Sequence, residues 1–415
     1  MLRLKQTISA YILASALLPS MAVQAATYYV SLSGNNTNAG TEEAPLRTVA
    51  YAASKMFAGD TTYVKNGTYI EELIHIQRTG TASAPIKLLA YPGHAPVISF
   101  NDSVVQRKIL RILLQNSPGH NRPISWITIE GLTLENGAHG VRWYNCDHCT
   151  IRRNVIRAYV SGMHGTGGID TVIDRNVIDR AGSPEEGGHG LYLNGSRYII
   201  TNNLIYGSRK YGIQLRGIED PNDTVNYAGP EYAKTENVII NNNVIAYNKL
   251  GAGIVIWGTW VNNARIENNI FYQNGQEGGT YNGINWVTCC STGVQIKNNI
   301  SYATEPRSTV FMSSTATEGV HYTQSGNMVN QASPEFVNAP PTLPAVPNFN
   351  LKEQSSAIDR GLRPEQNLGV LLATTRVDFN GTLRPQGRAY DIGAYEYSAG
   401  TDAQSPAAPA VLQAH

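Results

Sequence analysis

The chain has 415 residues, of which 42% are hydrophobic and only 15% are charged, and its formal net charge is +1 at pH 7. A nearly neutral chain has no bulk electrostatic attraction for nucleic acid or for an anionic membrane surface. We therefore expect neither as a partner.

The first 25 residues have the features of a signal peptide. Arg3 and Lys5 precede an apolar run from about residue 8 to residue 23, and the small residue Ala25 follows. This pattern predicts cleavage near Ala25 and export to the periplasm or secretion. A transmembrane anchor is the alternative, but Ser15, Pro19 and Ser20 interrupt the run and no stop-transfer pattern follows. We expect no membrane anchor.

A short amphipathic stretch from Val49 to Met56 follows the sequence Pro-Leu-Arg-Thr at residues 45–48. We predict a helix here that caps the first coil of the repeat structure further along the chain. Such a cap is needed because the open end of a strand repeat exposes unpaired strand edges.

An asparagine recurs behind aliphatic-rich segments through the middle of the chain, at Asn154, Asn176, Asn203, Asn243, Asn269 and Asn299. The successive spacings are 22, 27, 40, 26 and 30 residues, and Asn327 extends the series. Units this short must stack on one another as a solenoid, and their alternating apolar positions predict strands. If each asparagine occupies the same bend, its amide can donate to the next amide oxygen, although asparagine also favours turns for local reasons.

Three stretches carry a resemblance to a known superfamily. Residues 27–97 begin TYYVSLSGNN, the asparagine repeat covers about 125–330, and AIDRGLRP and DFNGTLRPQGRAYDIGAYEY follow near the C-terminus. Together they resemble the right-handed parallel β-helix superfamily, especially its secreted polysaccharide lyases of the pectate, alginate and chondroitin type. The resemblance implies an all-β, right-handed parallel β-helix with a short N-terminal capping helix.

The resulting domain division has one folded unit. We predict a monomeric β-helix domain over residues 26–397, with residues 331–397 as a C-terminal capping region that packs outside the coils or closes the last one. Residues 398–415 are small, contain proline and have no large apolar cluster, which predicts disorder.

Four cysteines remain after the predicted signal peptide, in the clusters Cys146/Cys149 and Cys289/Cys290. A single CxxC lacks the second ligand pair of a zinc site, so a local disulfide in an oxidising compartment is the better interpretation. The disulfide state of both clusters stays open at this point.

Six segments begin with a recurring glycine and allow the strand faces to be assigned. With a period of two, Val141, Met163, Leu191, Ile213, Ile254 and Ile284 point inwards. One outward column contains Arg142, His164, Tyr192, Gln214, Val255 and Asn285, and a second contains Tyr144, Thr166, Asn194, Arg216, Trp257 and Val287. His139 and His189 lie just before their glycines, and Trp286 is predicted to point into the core.

This set of side chains suits β-elimination from a uronate polymer. That reaction needs a cation to neutralise the substrate carboxylate, a base for the C5 proton and an acid for the departing O4. Arginine, histidine and tyrosine can supply these functions. The candidate catalytic residues are His189, Tyr192, His164, Arg216, Arg142 and, as a reserve base, Lys210. The candidate substrate-binding residues are His139, Tyr144, Asn194, Gln214, Trp257, Trp260 and Asn285.

The sequence therefore favours an exported polysaccharide lyase, with two alternatives. A β-helix glycoside hydrolase needs paired carboxylates, and the available acids are Asp170, Asp174, Glu185, Glu186, Glu219, Asp220 and Asp223, outside the outward columns. A non-catalytic glycan-binding protein would use only the aromatic residues. No acidic cluster lies on the groove strands, so we predict no metal and no calcium cofactor. The insertion at residues 218–236 is predicted to wall one side of the groove.

Overall fold

The computed structural model describes residues 24–100, 111–116, 122–217, 227–278, 281–287, 290–304, 310–313, 315–363 and 374–399. The predicted signal peptide, except for its last two residues, and nearly all of the predicted disordered tail lie outside the described residues. No helix among the described residues is long and apolar enough to cross a membrane.

Each coil contributes strands to three parallel sheets that surround one apolar core. Sheet I contains β1 (Thr27–Val30), β2 (Thr61–Val64), β5 (Ile86–Ala90), β9 (Ile127–Glu130), β11 (Thr150–Arg152), β13 (Val172–Asp174), β16 (Ile199–Thr201), β20 (Ile239–Asn241), β24 (Arg265–Glu267), β27 (Val294–Lys297) and β30 (Tyr322–Ser325).

Sheets II and III are joined by two long strands, β10 (Thr133–Asp147) and β12 (Val155–Ile169), which bend from one sheet into the other. Sheet II also contains β3 (Thr68–Glu71), β6 (Val97–Phe100), β14 (Val177–Asp179), β17 (Leu204–Tyr206), β21 (Val244–Ala246), β25 (Ile270–Tyr272), β28 (Ile300–Tyr302) and β31 (Met328–Val329). Sheet III also contains β4 (Leu73–Ile76), β7 (Arg111–Leu114), β15 (His189–Leu193), β18 (Ile213–Arg216), β22 (Ile254–Trp257), β26 (Tyr281–Trp286) and β29 (Val310–Met312).

The remaining elements are short. The strand β8 (Ile124–Ser125) pairs with the end of β10, β19 (Thr235–Glu236) pairs with β23 (Val261–Asn262), and β32 (Phe336–Asn338) lies antiparallel to β33 (Asn348–Leu351). The helices are α1 (Val49–Lys55) and α2 (Pro230–Ala233). The strand content and the parallel pairing confirm the predicted all-β solenoid.

The predicted asparagine ladder is confirmed at the bend between sheets I and II. Six side-chain bonds of 2.9–3.0 Å run from Nδ2 of each asparagine to Oδ1 of the next, through Asn154, Asn176, Asn203, Asn243, Asn269, Asn299 and Asn327. Each acceptor oxygen also takes the backbone N–H of the preceding asparagine. Buried amides must have their bonds satisfied, so the ladder fixes how each coil sits on its neighbour.

The sheet II to sheet III bend has a second, shorter ladder that sequence reasoning missed. Asn248 donates to Asn274, Asn274 to Asn282, and Asn282 to the Ser301 hydroxyl, at 2.8, 3.3 and 2.9 Å. The sequence pattern of this second ladder is weak because the ladder occupies only the later coils. Its spacing is also irregular, since Asn282 follows Asn274 by only eight residues. The recurring glycines lie at the same bend, and a Cβ at Gly212 would collide with Ile245.

The predicted capping helix is confirmed as α1 (Val49–Lys55). The Thr48 hydroxyl caps its first turn by accepting from the Tyr51 N–H, and the buried Glu71 carboxylate accepts from the Val49 N–H at 2.6 Å. The helix places Val49, Ala52 and Ala53 in the core, and so covers the first coil with apolar side chains.

The C-terminal region packs across the outside of sheet II. Side chains that point outwards from sheet II, such as Val177 and Val244, form a second apolar cluster with Phe336, Phe349 and Ile392. This packing matches the predicted arrangement in which the region lies outside the coils. The part of the sheet II outer face that is covered carries apolar residues such as Val177, Leu204 and Val244, whereas the outward side chains of sheet III include the polar residues of the predicted groove.

Replacement of a central ladder asparagine tests the account of coil stacking. In Asn243→Ala, the Asn203 side chain and backbone N–H both lose their bond to the Asn243 oxygen. An unpaired buried donor costs about 1–3 kcal/mol, so the free energy of unfolding should fall by about 2–5 kcal/mol in denaturant titration. Asn380→Ala removes an exposed amide bond and should change stability by less than about 0.5 kcal/mol. Equal losses in the two variants would contradict the account.

Candidate active site

The register of sheet III brings the predicted outward column together. Arg142, His164, Tyr192, Gln214, Val255 and Asn285 occupy equivalent positions on six consecutive coils. The predicted inward column is also aligned and fully buried, as are Trp286 and Trp143. Within the second column, Tyr144 pairs with Thr166 and Arg216 pairs with Trp257.

Tyr192 and His189 lie on β15, in the middle of this face. The Tyr192 ring contacts His164 of the preceding coil at 4.7 Å and His189 of its own strand at 5.5 Å between ring centroids. His189 and His139 share a column in which Ser161 occupies the intermediate coil. The predicted convergence of histidine and tyrosine side chains is therefore present in the structure.

Tyr211 is a residue of this site that sequence reasoning missed. Its ring is stacked on His189, with centroids 5.5 Å apart and planes only 5° from parallel. Its hydroxyl accepts a hydrogen bond of 3.3 Å from the Asn285 amide. The ring crosses Gly251 of the next coil, where any Cβ would collide with it. One sequence feature could have identified Tyr211: it precedes Gly212 in the same way that His189 precedes Gly190.

A pocket of about 480 Å³ opens beside these residues. It is lined by His189, Tyr192, Lys210, Tyr211, Gln214, Arg216, Leu250 and Trp257. Six of these eight residues are predicted site residues, and Tyr211 and Leu250 are additions. Trp257 exposes 44% of its surface and presents an aromatic face next to Arg216.

Lys210 reaches the pocket from the turn before β18. Its side chain crosses Gly187 of the preceding coil, where a Cβ would lie 2.6 Å from the lysine Cε. Gly187 therefore leaves room for a cation beside His189. Neither Lys210 nor Arg216 forms an ion pair among the described residues of the chain.

Arg142, His139 and His164 form a separate group on the N-terminal side of the pocket. The Arg142 Nη1 lies 3.4 Å from the His139 Nε2 and 3.2 Å from the His164 Nδ1. The Arg142 guanidinium also lies over the Tyr144 ring, 4.7 Å from its centroid. These four residues do not line the pocket.

Asn194 and Trp260, two of the predicted substrate-binding residues, do not lie at the pocket. The prediction for Asn194 is wrong, because its side chain is buried and its Oδ1 accepts from the Gly167 N–H at 3.1 Å. The strand β15 ends at Leu193, so the period-two assignment does not extend to Asn194, and its side chain holds the backbone instead of facing the groove. Trp260 is exposed in the turn after β22 but is not part of the pocket lining.

The described part of the long insertion packs beside sheet III. Tyr227, Tyr232 and Ala233 form a small apolar cluster with Ile169 at the end of β12. The Ala228 N–H also donates to the Asn145 side chain at 3.1 Å. None of the described insertion residues lines the pocket, so the wall on one side of the groove stays a prediction. Glu219, Asp220 and Asp223 lie outside the described residues.

Burial keeps the three histidines neutral. Desolvation lowers the pKa of His139 to about 3 and that of His164 to about 2, and in both cases the Arg142 charge adds to the effect. Burial also lowers the pKa of His189 to about 4, with a smaller contribution from the charge of Lys210. All three imidazoles can therefore accept a hydrogen bond or a proton at neutral pH.

The described acidic side chains do not form a calcium site in the groove. The pocket lining contains no carboxylate. Asp147, His148 and Asp170 have ligand atoms within 4.8 Å of one another, but Arg197 already binds Asp170 through two bonds of 2.6 and 2.8 Å. Calcium takes six to eight oxygen ligands, and this set, with one imidazole and one carboxylate held by arginine, does not fit it.

The other described acids do not line the pocket. Asp174 is buried against Arg175 at 2.7 Å, and Glu185 and Glu186 are exposed in the turn before β15. No pair of described carboxylates therefore faces the pocket in the way that hydrolysis with inversion requires.

Cys146 and Cys149 form a disulfide with a Cα–Cα distance of 6.1 Å, which confirms the predicted local pairing. Cys289 lies outside the described residues, so the state of the second cluster is still a prediction. The bridge closes the turn between β10 and β11, and both cysteines are buried in the core.

Comparison with known proteins agrees with this architecture. Residues 28–211 match the family model described as the Pel9A-like right handed beta helix region. Uncharacterized protein YwoF of Bacillus subtilis is 29% identical over 218 residues, covering 48% of this chain and 45% of that protein. Pectate lyase PEL9 of Emericella nidulans is 36% identical over 124 residues, covering 29% of this chain and 30% of that protein. The matched stretches thus span less than half of each relative.

The structure of pectate lyase Pel9A is also similar, with a TM-score of 0.54 and 18% identity over 90% of this chain and 96% of that chain. At this identity the likeness concerns the fold alone. The chain is a right-handed parallel β-helix, and the predicted resemblance to the superfamily that contains the β-helix polysaccharide lyases is confirmed.

Titration of His189 tests the electrostatics of the pocket. In a carbon-labelled histidine NMR experiment, we expect the His189 ring to titrate near pH 4, well below the usual value near 6.5. Lys210→Met should move the midpoint upwards, because removal of a nearby positive charge favours the protonated ring. Lys249→Met, which removes a lysine paired with Glu277, should leave it unchanged. A midpoint near 6.5 in the unaltered protein would contradict the account.

Proposed function

We propose that the protein is an exported polysaccharide lyase that cleaves a uronate-containing polysaccharide by β-elimination. The observation that carries this proposal is the composition of the pocket. It places two cations, Arg216 and Lys210, beside a neutral imidazole and a phenol, and no carboxylate lines it. A pocket with this charge suits an anionic sugar and the chemistry of proton abstraction next to a carboxylate.

Arg216 and Lys210 bind the carboxylate of the sugar whose linkage is cleaved. Neutralisation of that group stabilises the negative charge that develops when the C5 proton is removed. Arginine suits this role because its planar guanidinium matches the two oxygens of a carboxylate. The low pKa of His189 (about 4) means that its imidazole is in the proton-accepting form at neutral pH.

His189 accepts the C5 proton, and the C–H electron pair forms the C4=C5 double bond as the C4–O4 bond breaks. Tyr192 donates its hydroxyl proton to the departing O4. The two side chains are adjacent on β15, with ring centroids 5.5 Å apart. His189 ends the step protonated and Tyr192 ends it as a phenolate, so proton transfer between them or through water restores the site. Lys210 is the reserve base, and in that role its amine is neutral and Arg216 alone binds the carboxylate.

The aromatic and apolar lining binds the sugar rings. Trp257, Tyr211 and Leu250 border the pocket, and aromatic faces pack well on the C–H faces of pyranose rings. Tyr211 also holds the plane of His189 by parallel stacking and is itself tied to Asn285. It is therefore a positioning residue for the proposed base.

Two further observations support the proposal. One relative, PEL9, is by name a pectate lyase, although the matched stretch covers 30% of its length. The Cys146–Cys149 disulfide suits an oxidising compartment and thus agrees with the predicted signal peptide at residues 1–25. Export, the substrate and the reaction remain part of the proposal.

A panel of polysaccharides tests the reaction class. Alginate, pectate, glycosaminoglycans and bacterial exopolysaccharides are incubated with the protein, and both ultraviolet absorbance of unsaturated uronate ends and new reducing ends are measured. We expect both signals to rise together on an acidic polymer and to persist after treatment with a chelator, since Arg216 and Lys210 neutralise the substrate. Reducing ends without the absorbance would show hydrolysis, and binding without either product would show a glycan-binding protein.

Two substitutions test the assigned roles. Proton transfer in the transition state contributes about 10²- to 10⁴-fold, so Tyr192→Phe and His189→Ala should each lower kcat by about that factor. Substrate affinity should change little. Tyr63→Phe and His94→Ala, which alter half-buried side chains near the N-terminal end, serve as controls and should retain full turnover. If both pocket variants retain activity and Lys210→Ala or Glu219→Ala abolishes it, the reacting groups are assigned wrongly.

A further inference from the structure

Arg142 is a cation whose neighbours on sheet III are not anions. Its Nη1 lies within 3.4 Å of a nitrogen of His139 and within 3.2 Å of a nitrogen of His164, and its guanidinium covers the Tyr144 ring. Its Nε is buried and has no hydrogen-bond partner among the described residues. The two imidazoles therefore orient the guanidinium without neutralising it.

Other arginines on nearby coils have acidic partners. Arg152 binds Glu130 at 2.8 Å, Arg157 binds Asp179 at 2.9 Å, and Arg175 binds Asp174 at 2.7 Å. Arg142 has no such partner among the described residues. A half-buried cation loses hydration that a nearby anion normally replaces. Arg142 thus differs from the other arginines named here, each of which has a carboxylate partner.

A second cation increases the positive charge at this point. Arg111 begins β7, on the coil before Arg142, and the repulsion between the two arginines lowers the pKa of Arg111 in addition to the larger effect of burial. His139 and His164 stay neutral here. The positive charge of Arg142 is therefore not offset by the two imidazoles, which are neutral.

The position of this group relative to the pocket is fixed by the register. Arg142, His164 and Tyr192 lie on consecutive coils of one column. Two rungs of a parallel sheet span about 10 Å, a distance that consecutive pyranose rings of a chain lying along the helix axis can bridge. A polymer with its cleaved linkage at Tyr192 can therefore present a second sugar carboxylate to Arg142.

We infer that Arg142, with Arg111 beside it, forms a second carboxylate-binding subsite, two coils from the cleavage pocket on its N-terminal side. The inference rests on the proposed function and deepens it, since it names the substrate as a polyuronate that lies along the helix axis and carries acidic groups on more than one sugar. The planar guanidinium, held by His139 and His164, binds the carboxylate through charge-assisted hydrogen bonds. Short fragments that cannot reach Arg142 lose this contact.

The test measures affinity as a function of chain length by titration calorimetry. The protein carries Tyr192→Phe to slow turnover, and the probes are oligogalacturonates, oligomannuronates and oligoguluronates from dimer to hexamer. In at least one series, Kd should fall in a step once the oligomer spans the pocket and Arg142. In the same background, Arg142→Gln should remove that step and weaken binding of the long oligomers by about tenfold or more, as expected for one charge-assisted contact. Circular dichroism and a thermal melt verify that the variant is folded.

Three controls separate this subsite from general charge effects. Arg152→Gln removes an arginine of the neighbouring face that is paired with Glu130, and it should leave the length step unchanged. Arg142→Lys keeps the charge but loses the planar fork, so it should keep only part of the step. A hexamer with its carboxyl groups reduced to alcohols should bind without the step.

The outcomes distinguish this inference from the proposed function. A length step that depends on Arg142, in a protein that releases no unsaturated product from any polymer, supports the subsite and contradicts the lyase assignment. Lyase activity with no length step in any of the three series overturns the subsite. A step that survives Arg142→Gln, or the absence of binding to all three series, also overturns it.

Discussion

The buried amide ladder is the interaction on which the geometry of this molecule depends. Each ladder asparagine satisfies its hydrogen bonds only when the next coil is in register, so an error of one residue leaves buried polar groups unpaired. The Asn203 to Asn243 bond crosses the long insertion at the same 3.0 Å as the Asn176 to Asn203 bond across a shorter coil. Differences in loop length therefore do not change how the coils stack. The columns of sheet III stay aligned for the same reason.

The site follows from that register and from the coverage of the other faces. The C-terminal region packs its apolar side chains on sheet II, whereas sheet III presents Arg142, His164, Tyr192 and Gln214 in one line. The histidines of this face are neutral because they are buried beside cations, which favours their use as acceptors. Arg142, Lys210 and Arg216 have no acidic partners among the described residues. The face is therefore suited to a ligand that brings its own negative charge.

Much of this could be predicted from the sequence because one local rule repeats. Alternation after each glycine gave the correct faces for Val141 and Arg142 and for their equivalents on later coils, and the ladder spacing gave the coil order. Asn194 was assigned wrongly because it lies one residue beyond the end of β15, where strand periodicity no longer applies. Tyr211 was missed because its role depends on contacts with other coils, over Gly251 and with Asn285, which no local pattern contains.

The central claim is that Arg216, His189 and Tyr192 surround the reacting carbon of an acidic sugar. A crystal structure of the Tyr192→Phe protein with a bound oligouronate tests it most directly. The account predicts a sugar carboxylate within about 3 Å of the Arg216 guanidinium, C5 facing His189, and the glycosidic O4 next to the position of the tyrosine hydroxyl. A sugar bound in the pocket with its carboxylate turned to solvent, or with acids of residues 219–223 on both sides of the glycosidic bond, would contradict it.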